Sequence, residues 1–320
     1  MKKIFKILII NVVIFILCIF ISDLLIYKNF ADNFYKTNLK DYQINKFKYQ
    51  TEPFFAFDIR TFFDGSDNMY MGRKPDGLEF SDKTPVVIFG CSFAHGQHLE
   101  ANQTLSYKLS QLLKRPVYNR AISGRGLAQM LFQSESDIFY KDVPPSDTVI
   151  YLMIEDHYRR MLVSHINMLD YHFNGNYKLK NNKLIFEDYN NPIKNIIRSS
   201  YTIKLLNQKF AKYYIANPDN AQKLTDEVLL YFIQTRGNLE RHWKRKVNFI
   251  VLFYDDVSYK DILIEKLKEN GFCAYSINED IAPDVPLKNL EYKISKQNGH
   301  PNERAWETIT PLLVEKLRLN

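Results

Sequence analysis

The sequence has few of the residues that interrupt or cross-link a chain. It contains only 11 glycines and 12 prolines among 320 residues, too few for a collagen-like or linker-dominated protein. Its three cysteines include no C-x-x-C pair, which excludes a zinc ribbon and a scaffold held by several disulfides. A single Cys91–Cys273 disulfide in an oxidising compartment remains open, although buried free thiols are the simpler interpretation.

The charge distribution also lacks a nucleic-acid footprint. The net charge is +7, but residues 1–40 hold six lysines and two aspartates and so supply +4 of it. The rest of the chain carries only +3, which is too little to mark a nucleic-acid-binding surface. Hydrophobic residues at 46% and aromatic residues at 14% predict instead a chain that folds around a sizeable core.

The first 29 residues have the pattern of a membrane anchor preceded by a short cytoplasmic tip. Residues 7–22 carry no formal charge, and after Asp23 the apolar character resumes as far as Tyr27. A helix of about 21 residues is long enough to cross a hydrocarbon core about 30 Å thick. Lysines at positions 2, 3 and 6 precede the run, and the positive-inside rule then places the N-terminus in the cytoplasm.

We therefore expect a single-pass protein of the inner (cytoplasmic) membrane, in which residues 7–27 contact lipid and the main domain is periplasmic or otherwise extracytoplasmic. A cleaved signal peptide is one alternative, although no A-x-A-like site follows the run. A lipoprotein signal is disfavoured by the bulky residues before Cys18, and a buried helix of a soluble protein is the remaining alternative. Residues 30–84 are expected to form a stalk or lead-in.

From position 85 to position 320, short apolar runs alternate with helical patterns. Buried strands are predicted at 86–89, 117–118, 148–154, 247–253 and 273–277. Helices are predicted at 104–114, 262–267 and 305–317. This alternation predicts an α/β fold, a three-layer sandwich around a central parallel sheet. About ninety residues between the third and fourth strands break the rhythm, which predicts an insertion at about 163–246 that contains a hairpin over 171–189 and mostly helical chain after it.

Two residues lie where a parallel sheet places reactive groups. Ser92 follows the strand at 86–89 by three positions, and α/β proteins bind ligands beyond the carboxyl ends of their strands. His300 stands in a turn directly before the last helix. If the two loops share one edge of the sheet, His300 is placed to meet Ser92 and act as its base. The alternatives are a helix cap for Ser92 and a solvated loop histidine for His300.

These motifs resemble those of a known superfamily. Gly-x-Ser-Phe-x-x-Gly follows the first strand, Asn-Arg-Ala-Ile-Ser-Gly follows the second, and Gly-His-Pro-Asn precedes the last helix. In order and spacing they resemble the sequence blocks of the SGNH, or GDSL-type, hydrolases over residues 85–318, with a lead-in like that of membrane-anchored bacterial members. The resemblance implies an SGNH-like, flavodoxin-like fold with Ser92 as nucleophile, His300 as general base, and the N–H groups of Ser92 and Gly124 as oxyanion donors.

The sequence departs from this pattern after the third strand. The superfamily places an asparagine donor there, whereas Asp156 matches the position best. A carboxylate repels an oxyanion unless it is protonated, so His157 and Arg159 are alternative donors. An aspartate that simply begins a helix and forms salt bridges is the structural alternative.

A second departure concerns the residue that orients the histidine. The acid usually found three residues before it is Gln297 in this chain. Orientation of His300 would then fall to Gln297, to a backbone carbonyl or to the distant Asp284, or a Ser–His dyad would act alone.

The sequence thus predicts a serine-dependent carboxylic ester hydrolase of the cell envelope that acts through an acyl-enzyme on an ester-bearing small molecule, lipid or glycan. An O-acyltransferase that modifies an exported glycan is the alternative of the same chemistry. A non-catalytic envelope binding or assembly protein with a degenerate site is the alternative of another class. Cys91 is a disfavoured alternative nucleophile. No cofactor and no metal are expected, since no carboxylate near His95 and His98 completes a ligand set.

Overall fold

The computed structural model describes residues 11, 14, 17, 18, 21, 22, 75–162, 175–188, 201–254, 256–296 and 298–319. The isolated positions between 11 and 22 are helical. Most of the predicted anchor, and the predicted lead-in as far as residue 74, lie outside the described residues. Within the described part of the chain, no helix is both long and apolar enough to span a membrane.

A five-stranded parallel sheet forms the centre of the domain. Within the described residues the strands are β1 (Val86–Phe89), β2 (Val117–Asn119), β3 (Thr148–Met153), β4 (Gly175–Lys180), β5 (Lys183–Asp188), β6 (Asn248–Phe253) and β7 (Cys273–Ser276). The sheet has the order β2-β1-β3-β6-β7, and all its pairings are parallel. The predicted α/β fold with a central parallel sheet is therefore confirmed, and each of the five strands ends within one residue of its predicted bounds.

Helices cover both faces of this sheet. They are α1 (Ser92–His95), α2 (Leu105–Leu113), α3 (Leu127–Ser134), α4 (Asp137–Asp142), α5 (Asp156–Leu162), α6 (Tyr201–Ala216), α7 (Ala221–Trp243), α8 (Lys260–Glu269) and α9 (Glu303–Leu317), with 3-10 turns at Leu78–Phe80, Ala101–Gln103, Pro218–Asn220 and Leu290–Tyr292 and a π-helical turn at Ile277–Ile281. Apolar residues of α1, α2 and α9 form one core cluster with the sheet. Those of α3, α4, α5, α7 and α8 form a second cluster on the opposite face.

The strands are buried on both sides because they are continuous apolar runs. In β1, Val86 and Ile88 belong to the cluster with α2 and α9, while Val87 and Phe89 belong to the cluster with α3 and α7. All four residues are at most 1% exposed. Burying a side chain of this size stabilises a fold by about 1.5–3 kcal/mol, so both faces of the sheet contribute to holding the strand in place.

Between β3 and β6 the chain leaves the sheet, at the place where the sequence pattern breaks. It forms the antiparallel hairpin β4–β5 and then the helices α6 and α7. The hairpin packs back onto the domain, because Tyr177 and Leu184 are buried in the cluster that contains α3. The backbone N–H of Leu184 also donates to Oε1 of Gln234 on α7 at 2.6 Å.

A glycine forms the turn from β1 to α1. Gly90 has φ of +150°, a conformation that residues with a side chain rarely adopt. A Cβ at this position would lie 2.8 Å from Cβ of Ala94 and 3.1 Å from the carbonyl oxygen of Leu152. The close approach of the main chain to β3 therefore delivers Ser92 to the carboxyl edge of the sheet.

We expect Gly90→Ala to destabilise the domain by about 1–3 kcal/mol, because it combines a strained backbone with a clash against buried atoms. Gly237→Ala is the matched control, since a Cβ there meets nothing within 4 Å. Within helix α7 this control should stabilise by about 0.4–1 kcal/mol. Urea unfolding followed by circular dichroism measures both changes, and an unaltered midpoint for Gly90→Ala would contradict the close approach.

Candidate active site

Ser92 is the first residue of α1 and is only 6% exposed. Its neighbour Cys91 is completely buried in the core cluster with α2 and α9. Cys91 and Cys273 are both free thiols, so no disulfide joins them. The burial of Cys91 also argues against its role as an alternative nucleophile, because a thiolate must reach the substrate to attack it.

Ser92 and His300 form a hydrogen bond, although 208 positions separate them in the chain. The distance from Ser92 Oγ to His300 Nε2 is 2.7 Å. The imidazole also packs against the ring of Phe93, with a centroid distance of 4.7 Å. His300 is thus paired and packed, unlike a solvated loop histidine.

The second ring nitrogen of His300 faces Asn298. Oδ1 of Asn298 accepts the backbone N–H of His300 at 3.1 Å and lies 2.5 Å from Nδ1 of the ring. Because a backbone N–H only donates, the side-chain atom at both contacts is the amide oxygen, and Nδ1 carries the proton. The lone pair of Nε2 is then free to accept the Ser92 hydroxyl proton. A general base requires this tautomer, in which the ring proton is on Nδ1.

The surroundings of His300 favour its neutral form. Burial is the largest cause, and the charges of His98 and Arg160 add to it, so the pKa of His300 falls from 6.5 to about 4. The ring of His98 lies edge-on to that of His300, with centroids 5.7 Å apart. The imidazole is therefore unprotonated on Nε2 throughout the neutral pH range.

The loop after β2 lies against the start of α1. The backbone N–H of Ile122 donates to the carbonyl of Gly90 at 3.2 Å, and Nδ1 of His95 donates to the carbonyl of Ala121 at 2.9 Å. Gly124 follows with φ of +78°. Within the described residues, the backbone N–H groups of Ser92 and Gly124 donate to no protein acceptor. These are the two groups that the resemblance assigns to the oxyanion.

Asn119 is a structural residue of the site, and no sequence pattern assigned it a role. Its side chain is completely buried at the end of β2. Nδ2 donates to the carbonyl of Ala94 at 2.8 Å and to Oγ of Ser106 at 3.2 Å, while Oδ1 accepts the N–H of Ala121 at 3.2 Å. The side-chain amide of Asn119 thus joins α1, α2 and the loop after β2 by hydrogen bonds. In the sequence, the Asn-Arg-Ala-Ile-Ser-Gly motif was the only signal of this residue.

Asp156 is ionised and paired with two arginines. Burial by itself raises the pKa of Asp156, but the hydrogen bond from Arg159 and the charges of Arg160 and Arg159 outweigh it and lower the pKa to about 2. Its carboxylate lies 2.5 Å from Nε of Arg159 and 2.6 Å from Nη2 of Arg160. These ion pairs favour the structural alternative, an aspartate that begins a helix and forms salt bridges, over an oxyanion donor, because an ionised carboxylate has no proton to donate.

The two alternative donors have other partners. His157 is completely buried, with Nδ1 2.9 Å from the hydroxyl of Tyr151, and its ring lies so close to Gly126 that a Cβ there would be 3.1 Å from Cδ2. Arg159 is bound to Asp156 through two nitrogens. No described contact brings either side chain to Ser92.

Arg160 is a basic residue whose charge acts on His300. Its Nη1 donates to the carbonyl of Arg125 at 2.5 Å, the residue after Gly124, and its charge acts on the His300 ring. Its side chain is 12% exposed, against 25% for Arg159. In the sequence the two arginines are adjacent and equivalent, so no pattern distinguished them.

Of the two predicted orienting residues, only Asp284 belongs to the described part of the chain. Asp284 is exposed and, within the described part of the chain, makes no hydrogen bond or ion pair with the ring. Gln297 lies outside the described residues. Asn298 occupies the position instead, two residues before the histidine, where the sequence offered only an Asn-Gly pair typical of a turn.

Across the described ranges, no group of three or more His, Cys, Asp or Glu side chains is arranged to hold a metal ion. Among the described residues, the site brings together a serine, a histidine, the amide of Asn298 and backbone N–H groups, with Arg160 and His98 acting on the histidine.

Comparisons with known proteins give structural likeness only. No family model matches the sequence, and no curated protein matches it. A lipolytic G-D-S-L family protein from Veillonella parvula is 10% identical, with 73% of this chain and 97% of that chain covered and a TM-score of 0.40. A psychrotrophic esterase from Pseudoalteromonas sp. is 10% identical (74% and 97% covered, TM-score 0.39). An acetyl xylan esterase from the rumen bacterium Butyrivibrio proteoclasticus is 11% identical (74% and 63% covered, TM-score 0.41).

We expect the His300 imidazole to titrate near pH 4 and to carry its neutral-state proton on Nδ1. Arg160→Gln should raise this pKa, because it removes a positive charge that disfavours the imidazolium. The same substitution at Arg241, on helix α7, is the control and should leave it unchanged. Nitrogen-15 NMR of the imidazole measures the titration and the tautomer together, and a midpoint at 6.5 would contradict the buried environment.

Proposed function

We propose that the protein is a serine-dependent carboxylic ester hydrolase of SGNH type, with Ser92 as the nucleophile and His300 as its general base. The 2.7 Å hydrogen bond between Ser92 Oγ and His300 Nε2 carries this proposal. A serine hydroxyl is a weak nucleophile unless an adjacent base takes its proton. A neutral imidazole with its accepting nitrogen on that hydroxyl is such a base.

The reaction follows from the positions of the two side chains. Ser92 Oγ attacks the acyl carbon while its proton passes to Nε2 of His300. The N–H groups of Ser92 and Gly124 stabilise the tetrahedral oxyanion. The intermediate collapses, the bond to the alcohol breaks, and the alcohol oxygen takes the proton from Nε2. Water then attacks the acyl carbon while its proton passes to Nε2 of His300. The acyl–Ser92 bond breaks, Ser92 Oγ takes the proton back from Nε2, and the acid is released.

The cell envelope is the proposed location. The apolar residues 7–27 and the lysines before them support a single-pass anchor in the inner membrane with the main domain outside the cytoplasm. The substrate would then be an ester of that compartment, carried by a small molecule, a lipid or a glycan.

Labelling with a serine-directed fluorophosphonate tests the nucleophile. We expect the protein to be labelled at Ser92, Ser92→Ala to abolish the labelling, and His300→Ala to slow it by about 10²–10⁴-fold, since the base no longer activates the hydroxyl. Ser81→Ala and His242→Ala are matched controls away from the site and should label at the normal rate. A protein that resists labelling under all conditions would instead be a binding or assembly protein with a degenerate site.

The acyl acceptor distinguishes a hydrolase from an acyltransferase. For the hydrolase, we expect p-nitrophenyl acetate to be turned over in buffer alone, with steady acid release that continues beyond one equivalent of enzyme. Both reactions share the acyl-enzyme, so an initial burst of nitrophenol is common to them. If acyl release from Ser92 stays at background until a polysaccharide is added, water is not the acceptor and the hydrolase proposal fails in favour of an O-acyltransferase.

A further inference from the structure

His300 lacks an acidic partner within the described part of the chain. No aspartate or glutamate forms an ion pair or hydrogen bond with it there. The group on Nδ1 is instead the amide oxygen of Asn298, at 2.5 Å. A carbonyl oxygen accepts a hydrogen bond as a carboxylate does, but it brings no negative charge.

Asn298 is held in place by its own loop. Its backbone N–H donates to the carbonyl of Ser295 at 3.2 Å and to the hydroxyl of Ser295 at 3.1 Å, and its carbonyl accepts the N–H of Ser295 at 3.2 Å. Because these bonds fix the backbone at position 298, the side chain needs little further ordering to reach the ring.

The same loop fixes the histidine. The N–H of Ile294 donates to the carbonyl of His300 at 2.9 Å, and the N–H of Asn302 donates to the carbonyl of Tyr292 at 3.1 Å. Asn302 also caps α9 by accepting the N–H of Ala305 at 3.1 Å. Asn298 and His300 are therefore parts of one closed loop anchored on the last helix, and their mutual geometry is set before substrate binds.

We propose that Asn298 is the positioning residue of a Ser92–His300–Asn298 triad, in which an amide takes the place of the usual acid. This inference rests on the proposed hydrolase function. Asn298 takes no proton at any step, since the proton of Ser92 passes to Nε2 and on to the leaving alcohol, while Nδ1 keeps its own. The amide selects the reactive tautomer and aims the ring at the serine, but it leaves the imidazolium that forms during the reaction without a compensating negative charge.

The charged groups that face His300 also disfavour a positive charge on its ring. His98, from the segment after α1, and Arg160, on α5, both disfavour the imidazolium, and Phe93 of α1 is uncharged. Among the described residues no carboxylate contacts the ring, so Asn298→Asp would place a negative group against it. Asn298→Asp therefore separates the effect of charge from that of hydrogen bonding, because it adds a negative charge while it keeps an oxygen that accepts the Nδ1 proton.

Three variants at two positions separate the possible roles of this amide. Asn298→Asp keeps an acceptor and adds a charge, whereas Asn298→Leu keeps the approximate shape and removes the acceptor. Asn289→Asp, at an exposed position, is the matched control for net charge. We expect Asn298→Asp to move the acid limb of the kcat/KM profile upward by about 1–3 pH units, and Asn298→Leu to lower kcat by about 10²–10⁴-fold with KM of a small ester unchanged.

The tautomer provides a readout that needs no activity. Nitrogen-15 NMR should show the His300 proton on Nδ1 in the wild type and in Asn298→Asp, and a mixture of tautomers in Asn298→Leu. An unchanged acid limb in Asn298→Asp would overturn the triad even if Asn298→Leu failed to fold. If Ser92→Ala keeps full turnover, the hydrolase proposal fails, and the NMR result still decides whether Asn298 positions the ring.

Discussion

The burial of the parallel sheet on both faces is the constraint on which the site depends. Side chains of β1, β3 and β6 are sealed between two helical layers, so a slip of one residue in any strand would turn its whole set of side chains to the opposite layer. The strand ends are thereby fixed at one edge. Ser92 follows the end of β1 at that edge, and His300 comes shortly before the start of α9. Although the two residues are 208 positions apart, Ser92 Oγ and His300 Nε2 therefore lie 2.7 Å from each other.

Polar contacts join the loops that the sheet brings together. The loop after β1 is bound to the loop after β2 through Ile122 and Gly90, and that second loop is bound to α5 through Arg160 and Arg125. Asp156 compensates the charge of Arg160 without cancelling its influence on His300. Structural ion pairing and tuning of the histidine are thus functions of the same arginine.

The sequence predicted those strands, helices and site residues that a short local pattern determines. Strands appeared as continuous apolar runs, but α3 gave no clear period because Gln129, Gln133 and Ser134 lie on its buried side. Ser92 and His300 were identified from short motifs. Asn298 was missed because its contact with the ring depends on how a loop closes. Arg160 was missed because tertiary contacts and burial, which no local pattern shows, distinguish it from Arg159. The membrane anchor stays a prediction.

The separation of Ser92 and His300 along the chain also has a consequence during synthesis. A ribosome adds about 5–20 residues per second, so the histidine follows the serine by roughly 10–40 s. Throughout that interval the Ser92 hydroxyl lacks its hydrogen-bond partner, because the imidazole of His300 has not yet been synthesised. Under the proposed function, a chain cut anywhere between Ser92 and His300 would therefore keep the serine but lose the base that activates it.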